Sequence, residues 1–122
     1  MITQENIKNI AERVEKLKDY LHIEQKLIEI ANEEEKASNP TFWNDPKKAE
    51  ILMRSLRFKK KWIEDYNALK THYEELQIIY DFFKEKEASE QELNKNYKTT
   101  LEFLENLEFK NMLSVEGDDL SA

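Results

Sequence analysis

The chain has 122 residues, 37% of them charged, with one glycine, two prolines, no cysteine and a formal charge of −7. Such a length holds one domain with one core, and so few turn formers exclude β-rich and α/β folds, which need them at short intervals. Without cysteine there is no disulfide framework and no thiolate metal site, and the acidic balance opposes non-specific nucleic-acid binding as the main task.

Thr3 stands where it can cap a first helix, with Glu5 in the first turn, where a carboxylate complements the helix dipole. Ile7, Ile10, Val14, Leu17 and Leu21 follow in alternating steps of three and four, the seam of a bundle or coiled coil. From Tyr20 a second stripe appears, Tyr20, Ile23, Leu27 and Ile30 beside Ile28 and Ala31. This half is therefore apolar over a wider arc and is expected to touch more than one neighbour. The periodicity predicts one helix over about 4–37, ending in Glu33-Glu34-Glu35, a run unfavourable for the dipole.

Asn39-Pro40-Thr41-Phe42-Trp43-Asn44-Asp45-Pro46 holds both prolines. Proline pushes the residue before it out of helical geometry, so Asn39 and Asp45 are expected to be extended or turn-like. Asn44-Asp45-Pro46 reads as a helix cap followed by proline at the first helical position. At least one ring of Phe42 and Trp43 is expected to fold back and plug the end of a bundle. Pro40, Phe42, Trp43, Asn44, Asp45 and Pro46 are thus read as a structural loop.

A second helix is predicted over about 46–87, roughly 60 Å long. Its seam is Trp62, Tyr66, Leu69, Tyr73, Leu76, Tyr80 and Phe83, with Leu52 and Leu56 earlier. Its aromatics have the composition of a base-stacking platform, but their helical spacing assigns them to the core. Ser89 and Glu92 have the spacing of a capping box and open a third helix over about 90–112, faced by Leu93, Tyr97, Leu101, Leu104 and Leu107 and widened by Phe103. After Met112 the pattern stops. Residues 1–113 are read as one helical domain, and 114–122, with the lone Gly117, as a flexible tail or the truncated start of a next domain. The expected fold is all-α, an antiparallel bundle of three long helices with coiled-coil-like packing.

No segment approaches the ~20 apolar residues of a membrane span, and no apolar run marks a signal peptide, so a soluble cytoplasmic chain is expected. His22 and His72 are isolated, and a single glycine leaves no phosphate-cradling loop. No catalytic, metal or cofactor-binding residue is assigned, and the chain is expected not to be an enzyme. The basic stretch 47–61 is a local reversal of sign: Lys47, Lys48, Arg54, Arg57, Lys59, Lys60 and Lys61 face only Glu50. One reading pairs these cations with Glu29, Glu33, Glu34 and Glu35 across the loop, at ~0–1 kcal/mol per surface pair. The other makes Arg57, Lys59, Lys60 and Lys61 candidate contacts to RNA phosphate or the ribosome.

Asn39 to Ala49, from the proline loop into the following Lys47-Lys48-Ala49, resembles the loop and helix start of the N-terminal domain in the bacterial peptide chain release factor 2 family, a class I release factor family. Leu104-Glu105-Asn106-Leu107-Glu108-Phe109-Lys110-Asn111-Met112-Leu113-Ser114 resembles that domain's exit, and Tyr20-Leu21 is similar too. The resemblance runs in order over nearly the whole chain. It implies a domain of a factor that recognises UGA and UAA on the ribosome and triggers peptidyl-tRNA hydrolysis. The family's Gly-Gly-Gln and Ser-Pro-Phe motifs do not occur in this sequence. The implied partners are the ribosomal stalk base, protein and rRNA, and the GTPase release factor 3, with no membrane and no DNA. The competing reading is a generic helical-bundle module for protein–protein interaction.

Overall fold

Steps of three and four put Ile7, Ile10, Val14 and Leu17 on one face of α1 (Gln4–Tyr20), and all four are buried. The computed structural model describes the backbone of residues 1–121 and the side chains of residues 1–114. Its order is α1, α2 (Ile23–Ala37), a 3₁₀ turn (Pro40–Asn44), α3 (Pro46–Lys84) and α4 (Glu90–Ser121), so every regular element described is helical. Thr3 caps α1 by a full capping box, its hydroxyl accepting from the Asn6 N–H while the Asn6 side chain accepts from the Thr3 N–H.

The single helix expected over 4–37 is two. Leu21 closes α1, and His22 adopts the left-handed conformation with φ 52° and ψ 49°. The break resets the helical phase. Ile23, Ile30 and Glu33 become the buried positions of α2, while Tyr20, Leu27 and Ile28 are 63%, 50% and 58% exposed. α2 does touch more than one neighbour, α1, α3 and the 3₁₀ turn, but Tyr20, Leu27 and Ile28 of the apolar arc stay in solvent.

Asn39 and Asp45 are extended, as the prolines after them require. Asp45 caps α3, accepting from the Lys48 N–H at 3.3 Å, and the Asn39 carboxamide accepts from Thr41. The expected ring plug is absent: no residue of the 3₁₀ turn is buried, and Trp43 is 51% exposed. Its indole N–H instead donates to the Ala37 carbonyl at 3.0 Å, an orphan acceptor at the end of α2. Phe42 packs edge-to-face on it, with ring centroids 5.2 Å apart.

α3 ends at Lys84, short of the expected 87, in a Schellman turn. The Glu87 N–H reaches the Phe82 carbonyl and the Lys86 N–H the Phe83 carbonyl, with Lys86 at φ 63° where glycine is usual. The Ser89 hydroxyl then accepts from the Glu92 N–H and starts α4, which runs past the expected 112. The expectation for 114–122 falls largely outside the residues whose side chains are described. α3 and α4 zip antiparallel: Thr100 donates to the His72 carbonyl, Phe103 packs on His72, and Lys110 approaches Asp65.

The main core joins α1, the second half of α3 and α4. Ile10, Leu69, Leu76, Leu93 and Leu104 are wholly enclosed, with Trp62, Tyr73, Tyr80, Phe83 and Tyr97 packed around them. Beyond that cluster, the apolar residues that α2 and the first half of α3 bury are Ile30, Ala49 and Leu56. The molecule thus has a thick apolar body and a thin arm.

Leu104→Ala is expected to cost about 2–5 kcal/mol by urea unfolding, while Leu27→Ala, on the stripe that the sequence favours, stays within about 0.5 kcal/mol of wild type. Lys86→Gly relieves a left-handed backbone and is expected to raise stability by up to ~1 kcal/mol in the same measurement.

Candidate functional site

Proline-initiated α3 carries the basic stretch along the arm, where α2 lies beside it. Lys59 is the cation turned inward. Its Nζ lies 2.7 Å from Glu33 and 3.1 Å from Glu29, and Glu33 is only 9% exposed. Lys60 reaches Glu34 at 2.7 Å in a half-exposed pair. The cross-helix pairing expected from sequence thus occupies Glu29, Glu33 and Glu34, whereas Glu35 has no ion pair among the described residues.

The remaining cations face solvent. Lys61 pairs with Asp65 at 3.1 Å and Arg54 with Glu50 at 2.7 Å, both one turn apart on α3 itself. Lys47, Lys48 and Arg57 are exposed and make no ion pair among the described residues. Of the four candidate contacts, Arg57 and Lys61 share a face at i, i+4, while Lys59 is withdrawn to α2. The structure does not bring the four together as one surface.

Burial alone would lower the Lys59 pKa, but hydrogen bonds to Glu33 and Glu29 outweigh it and raise the value. Glu29 is held below the ordinary carboxylate range, first by the Gln25 amide at 3.0 Å and then by Lys59. Lys61 is raised by its hydrogen bond to Asp65. Among the described residues no three His, Asp or Glu side chains converge on a metal position. The arrangement holds helices together and presents charge.

One feature of the body carries no sequence signal. Arg13 on α1 clasps Glu108 on α4 bidentately, Nε to Oε2 at 3.1 Å and Nη2 to Oε1 at 2.5 Å, across 95 residues. Beside it opens a shallow cavity of ≈230 Å³ lined by Leu17, Tyr20, Asn111 and Lys16. Among the described residues no helix is long and apolar enough to cross a membrane.

A family model described as the PCRF domain matches residues 23–122. Peptide chain release factor 2 of Petrotoga mobilis is 24% identical over 120 residues, which cover 98% of this chain and 33% of that relative. The factor of the same name from Acidovorax sp. strain JS42 is 26% identical over 117 residues (94% and 32%), and that of Listeria innocua 25% over 118 (95% and 32%). The chain spans about a third of the length of the curated relatives it matches. No solved structure matches it.

Lys59→Met strands the buried Glu33 carboxylate and is expected to cost about 1–3 kcal/mol, whereas Lys60→Met costs ~0–1 kcal/mol, both read by urea unfolding at neutral pH. Glu29 has a depressed folded pKa, so its contribution is present above the unfolded value of 4.5 and lost as pH falls through the lower folded value. Glu29→Gln is therefore expected to flatten that part of the acid limb in a stability–pH profile.

Proposed function

The chain belongs to the PCRF domain family, and from that membership we propose that it is the N-terminal domain of a translation termination factor. The match over 23–122 and to relatives named peptide chain release factor 2 carries this reading. In the complete factor, other domains would read UGA and UAA and trigger hydrolysis of the peptidyl-tRNA ester. Residues 1–113 form the helical domain of that factor, and 114–122 lead to its next domain.

The part played by this domain is contact. It docks the factor at the ribosomal stalk base, on protein and rRNA, and meets the GTPase release factor 3, in the cytoplasm. Arg57, exposed on α3 with no ion pair among the described residues, suits rRNA phosphate, and Lys60 can leave its surface pair at little cost, while Lys61 stands beside Asp65. Lys59 suits it least, since turning outward would strand Glu33. The loop Pro40, Phe42, Trp43, Asn44, Asp45 and Pro46 supports the reversal between α2 and α3 through the Trp43 and Asp45 hydrogen bonds. A generic interaction module accounts for the seams equally well but leaves the family match without a cause.

The reading frame downstream of Ala122 in the parent gene is expected to encode Ser-Pro-Phe and then Gly-Gly-Gln; a stop codon or an unrelated continuation overturns the termination reading. In a reconstituted termination assay, the intact factor lacking residues 1–113 is expected to keep codon-dependent peptide release while losing its response to release factor 3. Unchanged response would remove the proposed contact from this domain.

A further inference from the structure

α3 is longer than the partners that cover it. Its contacts with α4 run from His72 against Thr100 to Asp65 against Lys110, and Asn111 and Ser114 then lie beside Phe58 and Trp62. Nearer the proline loop, α3 meets α2 through Lys59 and Lys60 and buries Ala49 and Leu56. Another face stays open. It reads Lys47, Ile51, Arg54, Phe58, Lys61, in steps of four, three, four and three.

These steps are those of a seam, yet the described side chains border it only at Phe58, beside Trp62, Asn111 and Ser114. Ile51 is 66% and Phe58 53% exposed, and the Arg54 and Lys61 side chains are 70% and 67% exposed. Phe58 is held edge-on against Trp62 at 6.5 Å, so its ring is presented from the rim of the core. Seven residues advance an α-helix by ~10.5 Å, which sets Lys47, Arg54 and Lys61 at equal intervals along the row with an apolar side chain between each pair.

We propose that this face of α3 docks an acidic amphipathic helix of another protein. The partner's apolar side chains cover Ile51 and Phe58, and its carboxylates, seven residues apart, meet Lys47, Arg54 and Lys61. Charge complementarity selects this occupant. Lys47 has no ion pair among the described residues, the Arg54–Glu50 pair is an exposed one-turn pair that exchanges partners readily, and Lys61, itself exposed, can turn from an Asp65 that also has Lys110 beside it. An RNA strand would use the cations but leave Ile51 in water, whereas an amphipathic helix covers both. The inference goes beyond the termination reading and stands on α3 alone.

The test uses this 122-residue chain and a fluorescent helical peptide bearing leucine and glutamate in alternating steps of four and three. Fluorescence anisotropy against this peptide, its lysine-for-glutamate counterpart and a single-stranded RNA supplies the comparison. Binding is expected for the glutamate peptide, weakened roughly tenfold or more by Lys47→Glu with Arg54→Glu and, separately, by Ile51→Asn with Phe58→Asn. Circular dichroism melts on the variants show that the fold persists, as befits exposed positions. No binding of the glutamate peptide, or equal binding of the lysine peptide, overturns the proposal. So does RNA binding that is tighter and indifferent to the Ile51 and Phe58 changes, or sedimentation showing that a second copy covers the face.

Discussion

A helix of 39 residues without an internal breaker is the constraint under which this chain folds. Helices within proteins owe little of their stability to propensity and most to the packing of one face, and α3 has nearly 60 Å of length to support in this way. No single neighbour is described over that length. α1 and α4 flank its second half, where Leu69 and Leu76 lie wholly enclosed, and α2 flanks its first. The break at His22 follows from the same need. One straight helix over 4–37 would have carried the Ile7–Leu21 seam on to Glu24, Ile28 and Ala31, whereas the turn there lets Ile23, Ile30 and Glu33 face inward instead.

The two halves are held by different physics. The body is apolar, and its cross-helix polar contacts, Arg13 with Glu108 and Thr100 with His72, are side contacts to a leucine core. In the arm the third buried position of α2 is a carboxylate, so apolar area gives way to a charge that needs its partner. A partly buried ion pair adds little net stability compared with a well-packed apolar contact, but it penalises misalignment heavily. Sliding α2 by one turn along α3 would place Glu33 away from Lys59 and leave a desolvated charge. The pair therefore fixes register more than it adds strength.

Periodicity carries the seams, because alternating steps of three and four survive whatever the neighbours do. Ile7 to Leu21, Tyr66 to Leu76 and Leu93 to Leu107 are legible that way, and so are the extended residues before each proline. Left-handed positions are less legible where a histidine or a lysine occupies them, since the usual glycine signal is missing. The Arg13–Glu108 clasp depends on how α1 and α4 are phased, which no local pattern encodes. In the basic stretch, the pairing with α2 acids is legible in outline. That Lys59 turns inward while Lys61 faces solvent is set by the rotation of α3 against α2, and sequence spacing alone leaves that angle free.

Polarity is the last consequence of this layout. The stretch 47–61 carries seven cations against Glu50, a net of +6, so the rest of the chain holds −13 to give the total of −7. Folding does not spread that difference evenly. α2 takes up Lys59 and Lys60, leaving Lys47, Lys48 and Arg57 as exposed cations of the arm with no ion pair among the described residues. A rod charged in this way is turned by an external field before any side chain touches a partner, because clustered charge sets orientation at distances that contacts do not reach. The effect fades beyond the ~8 Å Debye length at physiological ionic strength, so it acts in the final approach to a surface. Orientation of the arm is thus built into the positions of a few lysines and arginines that folding itself does not require.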